Sequence, residues 1–225
     1  MFFKKKKEEE QVVIKSVNDV LEFTLLDPRA VYKDIQTLIN VAVKNKYYGV
    51  CINPDKVREA KDYMVNRLKV EMPIIAVVGF PLGNHTIQTK VSEAKQALAD
   101  GADELDVVIN IGRAKEGDYN YIKNELSRIV RIARGKIVKA IIETCYLTRE
   151  EIKDISKVCE RAKVDYIKTS SGYGTGGANV EDVSLIFETV RNKLKIKASG
   201  GIRSRAQAED LIRAGASRIG TSRAL

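Results

Sequence analysis

Short apolar runs alternate along the chain with longer segments whose apolar positions recur at helical spacing. The runs predict eight strands, at Leu21–Leu26, Tyr48–Ile52, Ile74–Gly79, Glu104–Asn110, Ile137–Glu143, Val164–Lys168, Ile196–Ser199 and Arg218–Gly220. Between them lie helix-start signals. Asp27-Pro28 and Asn53-Pro54 read as an N-cap with proline at the first helical position, and Thr148-x-x-Glu151 and Ser204-x-x-Gln207 read as capping boxes. Val91, Ala94 and Leu98 share one helical face before Gly101 ends that segment. Strand, helix, strand, repeated about every 25–30 residues, requires parallel strands joined by right-handed crossovers. An open doubly wound sheet and a closed barrel both satisfy this order. The count of eight favours a (β/α)8 TIM barrel in one domain, residues 21–225, preceded by a charged tail and short, helical lead-in over residues 1–20. The chain stops just after Gly220-Thr-Ser222, so an eighth helix is expected to be truncated.

Composition narrows the class. At 225 residues, 44% hydrophobic and 31% charged, the chain suits one globular domain, and no apolar run approaches the ~20 residues of a membrane span. The start, Met1-Phe-Phe-Lys-Lys-Lys-Lys-Glu-Glu-Glu10, lacks the apolar stretch of a secretory signal. Cys51, Cys145 and Cys159 are odd in number and have no Cys-x-x-Cys spacing, which fits a reducing cytoplasm better than a disulfide framework or zinc ribbon. His85 is the only histidine, so histidine metal sites and most catalytic triads are excluded. The net charge of +9 is scattered and not interleaved with stacking aromatics, so no nucleic-acid partner and no membrane partner are expected.

Strand parity then picks out side chains foreign to a barrel core. Residues two apart share a face. Asp106 aligns with Val108 and Asn110, Lys139 with Ile141 and Glu143, Lys168 with Tyr166, and Lys197 with Lys195 and Ser199. Asp106, Lys139, Lys168 and Lys197 are therefore placed inside the barrel, towards its C-terminal face, where barrel active sites lie. A satisfied buried ion-pair cluster is the bland account of such residues. The chemical account is a nucleophilic amine. An ordinary lysine, with a pKa near 10.4, is neutral in only about 1 molecule in 2,500 at pH 7. A second ammonium nearby and partial desolvation shift that balance, and Lys168 with Lys197 is such a pair. Asp106 beside them can move protons, and together they suggest Schiff-base chemistry on a carbonyl substrate. Glycine clusters at Gly172–Gly177, Ser199-Gly-Gly201 with Arg203, and Gly220-Thr-Ser222 follow strands six, seven and eight, where barrels hold a phosphate monoester.

These residues carry a family resemblance over about Leu21 to Ser222. The segments are Thr24-Leu-Leu, Val50-Cys-Ile-Asn-Pro54, Val78-Gly-Phe-Pro-Leu-Gly83, Gly101-Ala-Asp-Glu-Leu-Asp-Val-Val-Ile-Asn-Ile-Gly112, Val138-Lys-Ala-Ile-Ile-Glu-Thr144, Tyr166-Ile-Lys-Thr-Ser-Ser-Gly172, Lys197-Ala-Ser-Gly-Gly-Ile-Arg203 and Gly220-Thr-Ser222. In this order they resemble the deoxyribose-phosphate aldolases. The resemblance implies a (β/α)8 barrel and a class I aldolase with no cofactor and no metal. The implied reaction is reversible cleavage of 2-deoxy-D-ribose 5-phosphate to D-glyceraldehyde 3-phosphate and acetaldehyde by a homo-oligomer (dimer or tetramer). It makes Lys168 the Schiff-base lysine, Lys197 its pKa-lowering partner and Asp106 the acid/base. Lys139, Thr24 and Cys51 are implied to support the site, and Gly172, Gly200, Gly201, Arg203 and Ser222 to bind phosphate, which leaves Gly174 to Gly177 to turn flexibility. The implied route runs from imine to enamine with scission expected at C3–C4. Two departures stand out: Glu22-Phe23 replaces an Asp-His or Asp-Leu pair before Thr24, and a C-terminal tail is missing. Another Schiff-base aldolase or transaldolase, or a non-catalytic phosphosugar- or nucleic-acid-binding barrel, are the alternatives.

Overall fold

The computed structural model describes residues 16–225. Eight parallel strands close into a barrel: β1 Leu21–Leu25, β2 Gly49–Ile52, β3 Ile74–Val78, β4 Glu104–Val108, β5 Ile137–Ile141, β6 Tyr166–Lys168, β7 Lys195–Ser199 and β8 Arg218–Thr221. Each pairs with the next, and β8 returns to β1 through Leu21 opposite Ile219. β4 and β5 end earlier than their apolar runs suggest, because the last residues take up other work. Asn110 becomes an N-cap, its Oδ1 accepting the Arg113 N–H at 3.0 Å, and Glu143 turns into the left-handed region.

The helices are α1 Tyr32–Lys44, α2 Val57–Asp62 (running on through a widened turn, Tyr63–Leu68), α3 Ile87–Ala99, α4 Ile111–Lys115, α5 Tyr119–Ala133, α6 Arg149–Ala162, α7 Val180–Val190 and α8 Arg205–Arg213. α4 and α5 share the β4–β5 crossover, so eight helices serve seven crossovers. Among the described residues none after β8 is helical, and the backbone of Leu225 instead meets the Tyr47 hydroxyl at 3.2 and 3.4 Å.

Local capping explains most helix starts. Thr148 and Glu151 form the reciprocal box, at 3.3 and 2.7 Å. At α8 the box is shifted: Ser204 accepts the Gln207 N–H, but the Gln207 side chain accepts from Arg203, one residue earlier than the pattern requires. Asp27-Pro28 starts no helix. The Asp27 carboxylate is taken by the Arg29 N–H and guanidinium, which makes a turn, and α1 begins later, where Asp34 reaches back to the Val31 N–H at 2.9 Å. Asn53-Pro54 starts a single 3-10 turn, Pro54–Lys56, ahead of α2. The charged tail lies outside the described residues. Of the lead-in, Val17–Val20 is one 3-10 turn rather than an α-helix; Val17 is buried in the core, and Asn18 joins Asn45 and Arg205.

Alternation along the strands produces two interiors. Leu105, Val107, Val138, Ala140, Ile167, Ile196 and Ala198 face outward and pack under Leu126, Ile129, Ile155, Val183 and Leu211 of the helices. Inside the barrel, Cys51, Ile75 and Val77 form a small apolar cluster with Leu26, and Phe80 packs on it. The inward faces from β4 round to β1 hold charge instead.

Candidate active site

The inward charges converge on one carboxylate. Asp106 Oδ2 accepts from Lys168 Nζ at 2.8 Å and Lys197 Nζ at 2.6 Å, while Oδ1 accepts from Lys139 Nζ at 2.9 Å. Strand register makes this possible: Asp106 is opposite Lys139, Lys168 opposite Lys197, and Lys197 opposite Arg218. Glu22, on β1, ion-pairs with Lys197, with Lys139 at 3.4 Å and with Arg218 Nε at 3.6 Å. Glu104, two residues before Asp106 on the same face, holds Lys139 and the Tyr48 hydroxyl. Arg218 lies over the Tyr48 ring, 3.2 Å from its centroid, and bonds the Tyr166 hydroxyl at 3.1 Å. Unpaired, such buried charges would each cost several kcal/mol; here each has an opposite charge in contact.

Within this group, four cations (Lys139, Lys168, Lys197, Arg218) face three carboxylates (Glu22, Glu104, Asp106). The lysines are not equivalent. Lys139 touches three carboxylates and Lys197 two, and both are fully buried. Lys168 touches Asp106 alone and keeps 2% exposure. Burial pushes the Asp106 carboxyl up, but the ammoniums of Lys139, Lys168 and Lys197 outweigh it and hold the group well below the usual carboxylate range. For Lys197 burial acts downward, and Asp106 and Glu22 more than reverse it, so its ammonium is held more firmly than that of an ordinary lysine; Lys139 is raised in the same way. The two-lysine pair expected from sequence is thus bridged by a carboxylate. Lys197 is a fixed cation, within two hydrogen-bond lengths of Lys168 through one shared oxygen.

Above the cluster, Cys51 Sγ lies 3.9 Å from Asp106 Oδ2, its thiol pushed up by burial. Half-buried Thr24 bonds the Glu22 carbonyl at 3.0 Å. Glu22, Cys51 and Asp106 offer donor atoms within 4.8 Å of one another. The carboxylates of that trio already carry ammonium groups, which suits lysine charge better than an added metal cation.

The β6 and β7 loops knit together at the mouth. Gly172, Gly200 and Gly201 all have positive φ, the Ser199 hydroxyl donates to Ser170 O at 2.6 Å, and Ala178 N–H reaches Ser199 O and Gly200 O. The later glycines permit close approach: a Cβ at Gly177 would collide with Gly200 O, and one at Gly174 would lie 2.7 Å from Cys145 Sγ. This replaces the flexibility expected for that run. Arg203 and Ser222 stand exposed beyond these loops. Tyr173 crosses the mouth, its hydroxyl donating to Leu26 O at 2.8 Å after β1 and its ring edge-on to Phe80 after β3.

The family model described as DeoC/LacD family aldolase matches residues 8–221. The chain belongs to this aldolase family. It is 48% identical over 204 residues to a deoxyribose-phosphate aldolase of Thermococcus kodakarensis, covering 90% of this chain and 91% of the relative. A deoxyribose-phosphate aldolase of Clostridium botulinum is 46% identical over 202 residues, covering 90% and 94%. Among solved structures, the deoxyribose phosphate aldolase of Aeropyrum pernix, described as tetrameric, superposes with a TM-score of 0.84 at 31% identity, covering 92% of this chain and 86% of that one.

In this aldolase, sequence parity brought out Asp106, Lys139, Lys168 and Lys197 but passed over Glu104, Tyr48 and Arg218. Glu104 carried a usable signal, since it shares the face of Asp106. Arg218 was legible only as the first residue of the last strand. Glu143 was placed on the inward face with no task, and nothing in the sequence marks Tyr173.

Proposed function

We propose that this aldolase reversibly cleaves 2-deoxy-D-ribose 5-phosphate to D-glyceraldehyde 3-phosphate and acetaldehyde through a Schiff base on Lys168. One observation carries the assignment: Lys168, at the open end of the barrel, has one carboxylate partner, and that same oxygen also holds Lys197. Among the lysines of the cluster, Lys168 has the fewest carboxylate partners and alone keeps any exposure, so it is the amine placed to meet a carbonyl substrate.

The free Lys168 amine attacks C1 of the open-chain sugar, and loss of water gives a protonated imine. Atom counting moves the scission expected at C3–C4 to C2–C3. Acetaldehyde carries C1 and C2, the triose phosphate carries C3 to C5, and only the C2–C3 electron pair can flow towards the C1 iminium. Loss of the C3 hydroxyl proton breaks that bond, releases glyceraldehyde 3-phosphate and leaves an enamine. Protonation at C2 and hydrolysis then free acetaldehyde and Lys168. Asp106, through ordered water, carries these protons. Its basicity rises at the neutral carbinolamine, when one of the three ammonium charges around it is gone. Lys197 and Lys139 keep Asp106 and Glu22 in place, while Thr24 and Cys51 complete the wall. Gly172, Gly200, Gly201, Arg203 and Ser222 receive the phosphate, using backbone N–H groups and one guanidinium.

The remaining inferences concern the whole chain. Residues 21–225 form the catalytic unit, with 1–20 as an extension; β1 beginning at Leu21 supports that boundary. The tetrameric description of the Aeropyrum pernix relative supports a homo-oligomer. Three free cysteines support a cytoplasmic location. The direct test is a coupled assay for glyceraldehyde 3-phosphate released from 2-deoxyribose 5-phosphate. Turnover is expected; folded protein without turnover contradicts the proposal.

A further inference from the structure

Glu143 is a buried carboxylate that the proposed chemistry leaves unused. It follows β5 at the barrel mouth, is 1% exposed, and adopts φ 54°, ψ 67°. Left-handed backbone is unfavourable for a residue with a Cβ, and it persists where the surroundings enforce it. Here the neighbours on both sides are tied to the next strand: Ile142 N–H donates to Lys168 O at 3.0 Å and Thr144 N–H to Thr169 O at 2.9 Å. Between these two anchors, both Glu143 carboxylate oxygens accept the Ser171 N–H, at 3.1 and 3.2 Å. No lysine or arginine among the described residues forms an ion pair with it, and its one other polar neighbour is Cys145 Sγ at 3.9 Å. A buried carboxylate without a cation is costly unless its hydrogen bonds serve a purpose.

The purpose lies one residue on. Ser171 Oγ accepts the Tyr173 N–H at 3.0 Å, which folds the chain back at Gly172. Gly172 then lies against Gly200, the point where the β6 and β7 loops meet. A side chain at Gly174 would come within 3.1 Å of Glu143 Oε1, so the loop is also closed over the carboxylate. We infer that Glu143 is a positioning residue for substrate phosphate: by holding Ser171 N–H it sets the Ser171–Gly174 loop in the form that receives the anion. It makes no hydrogen bond or ion pair with Lys168 Nζ, whose partner is Asp106.

This inference rests on the phosphate-monoester reading above, and the test separates the two. Cleavage of 2-deoxyribose 5-phosphate and of unphosphorylated 2-deoxyribose is measured for the wild type, Glu143→Ala, Glu143→Gln and Glu143→Gly. Inorganic phosphate binding is measured by calorimetry on the same proteins. Losing a hydrogen bond to a charged acceptor corresponds to about a tenfold change in binding. Glu143→Ala and Glu143→Gly therefore raise KM for the phosphorylated sugar and the phosphate Kd about tenfold, whereas kcat/KM for 2-deoxyribose changes less than about twofold. Glu143→Gln keeps an acceptor for Ser171 N–H and restores KM to within about threefold of wild type. Glu143→Gly accepts the left-handed backbone without strain, so it keeps the fold if Glu143→Ala does not. Unchanged KM and Kd in Glu143→Gly, equal losses on both sugars, or a Glu143→Gln variant as impaired as Glu143→Ala would each overturn the inference. If the wild type turns over neither sugar, the proposed function fails, and the phosphate Kd series still decides the role of Glu143.

Discussion

Lys168 differs from its two neighbours by what it lacks. Lys139 and Lys197 are each gripped by two or more carboxylates, and Lys168 by one. Lys168→Leu is expected to abolish turnover. Lys197→Leu leaves Glu22 and Asp106 short of a cation and is expected to lower kcat/KM by about 10²–10⁴-fold, the range for a group in the proton path. Steady-state assays of both variants check this, and near-normal activity in either contradicts the assigned roles. The same cluster has a pH signature. The folded-state Asp106 carboxyl lies well below its ordinary 3.8, so its stabilising contribution is present above about pH 4 and is lost as pH falls through the folded value. Lys197 and Lys139 are raised above 10.5, so their contributions are present below that and are lost as pH rises through the folded values. Urea unfolding of wild type and Asp106→Asn should give a stability difference that is constant near neutrality and shrinks below about pH 4. A difference that grows on acidification would contradict the charge assignments. Parity made these residues legible because inside and outside of a barrel strand differ by one position. Parity did not say that a carboxylate separates the two lysines; that depends on register between strands.

At the scale of elements, all eight strands were readable, since short runs of three to seven residues between helix-period segments leave few other interpretations. Their ends were less so. Asn110 and Glu143 extend the apolar runs in sequence, yet one caps a helix and the other turns left-handed. Asp27-Pro28 failed as a helix start because an aspartate serves an adjacent turn as readily as a helix, and Arg29 claimed it first. The glycine run failed differently. Close approach to Cys145 and Gly200 is a tertiary fact, invisible until the β5, β6 and β7 loops are together. Gly177→Ala should push the β6 and β7 loops apart and raise KM for 2-deoxyribose 5-phosphate several-fold, by at least about 1 kcal/mol of binding. A variant with wild-type KM would remove the close-packing argument.

For the molecule as a whole, the sequence count of eight strands carried the architecture, and the charged interior carried the site. A second buried pair went unread. Lys90 on α3 and Glu125 on α5 meet at 2.7 Å with no exposure, and they also hold the end of β4 through Val108 O and Asn110 N–H. Burial pushes the lysine down and the carboxyl up, against their mutual attraction. Lys90 sits on an otherwise apolar helix face, and only contact with α5 reveals why. Glu125→Leu alone should destabilise by about 3–5 kcal/mol and Lys90→Met with Glu125→Leu by much less, as an uncompensated buried charge costs more than the lost pair. Denaturant unfolding reads both, and additive losses would contradict it.

In the proposed reaction one amine, Lys168, forms the Schiff base. This step is tested most directly by incubating the protein with acetaldehyde and borohydride, then mapping the peptides by mass spectrometry. An N-ethyl group on Lys168 alone, absent when borohydride is withheld, is the predicted result. Modification of Lys197 or Lys139 in its place, or none at all on folded protein, would contradict it.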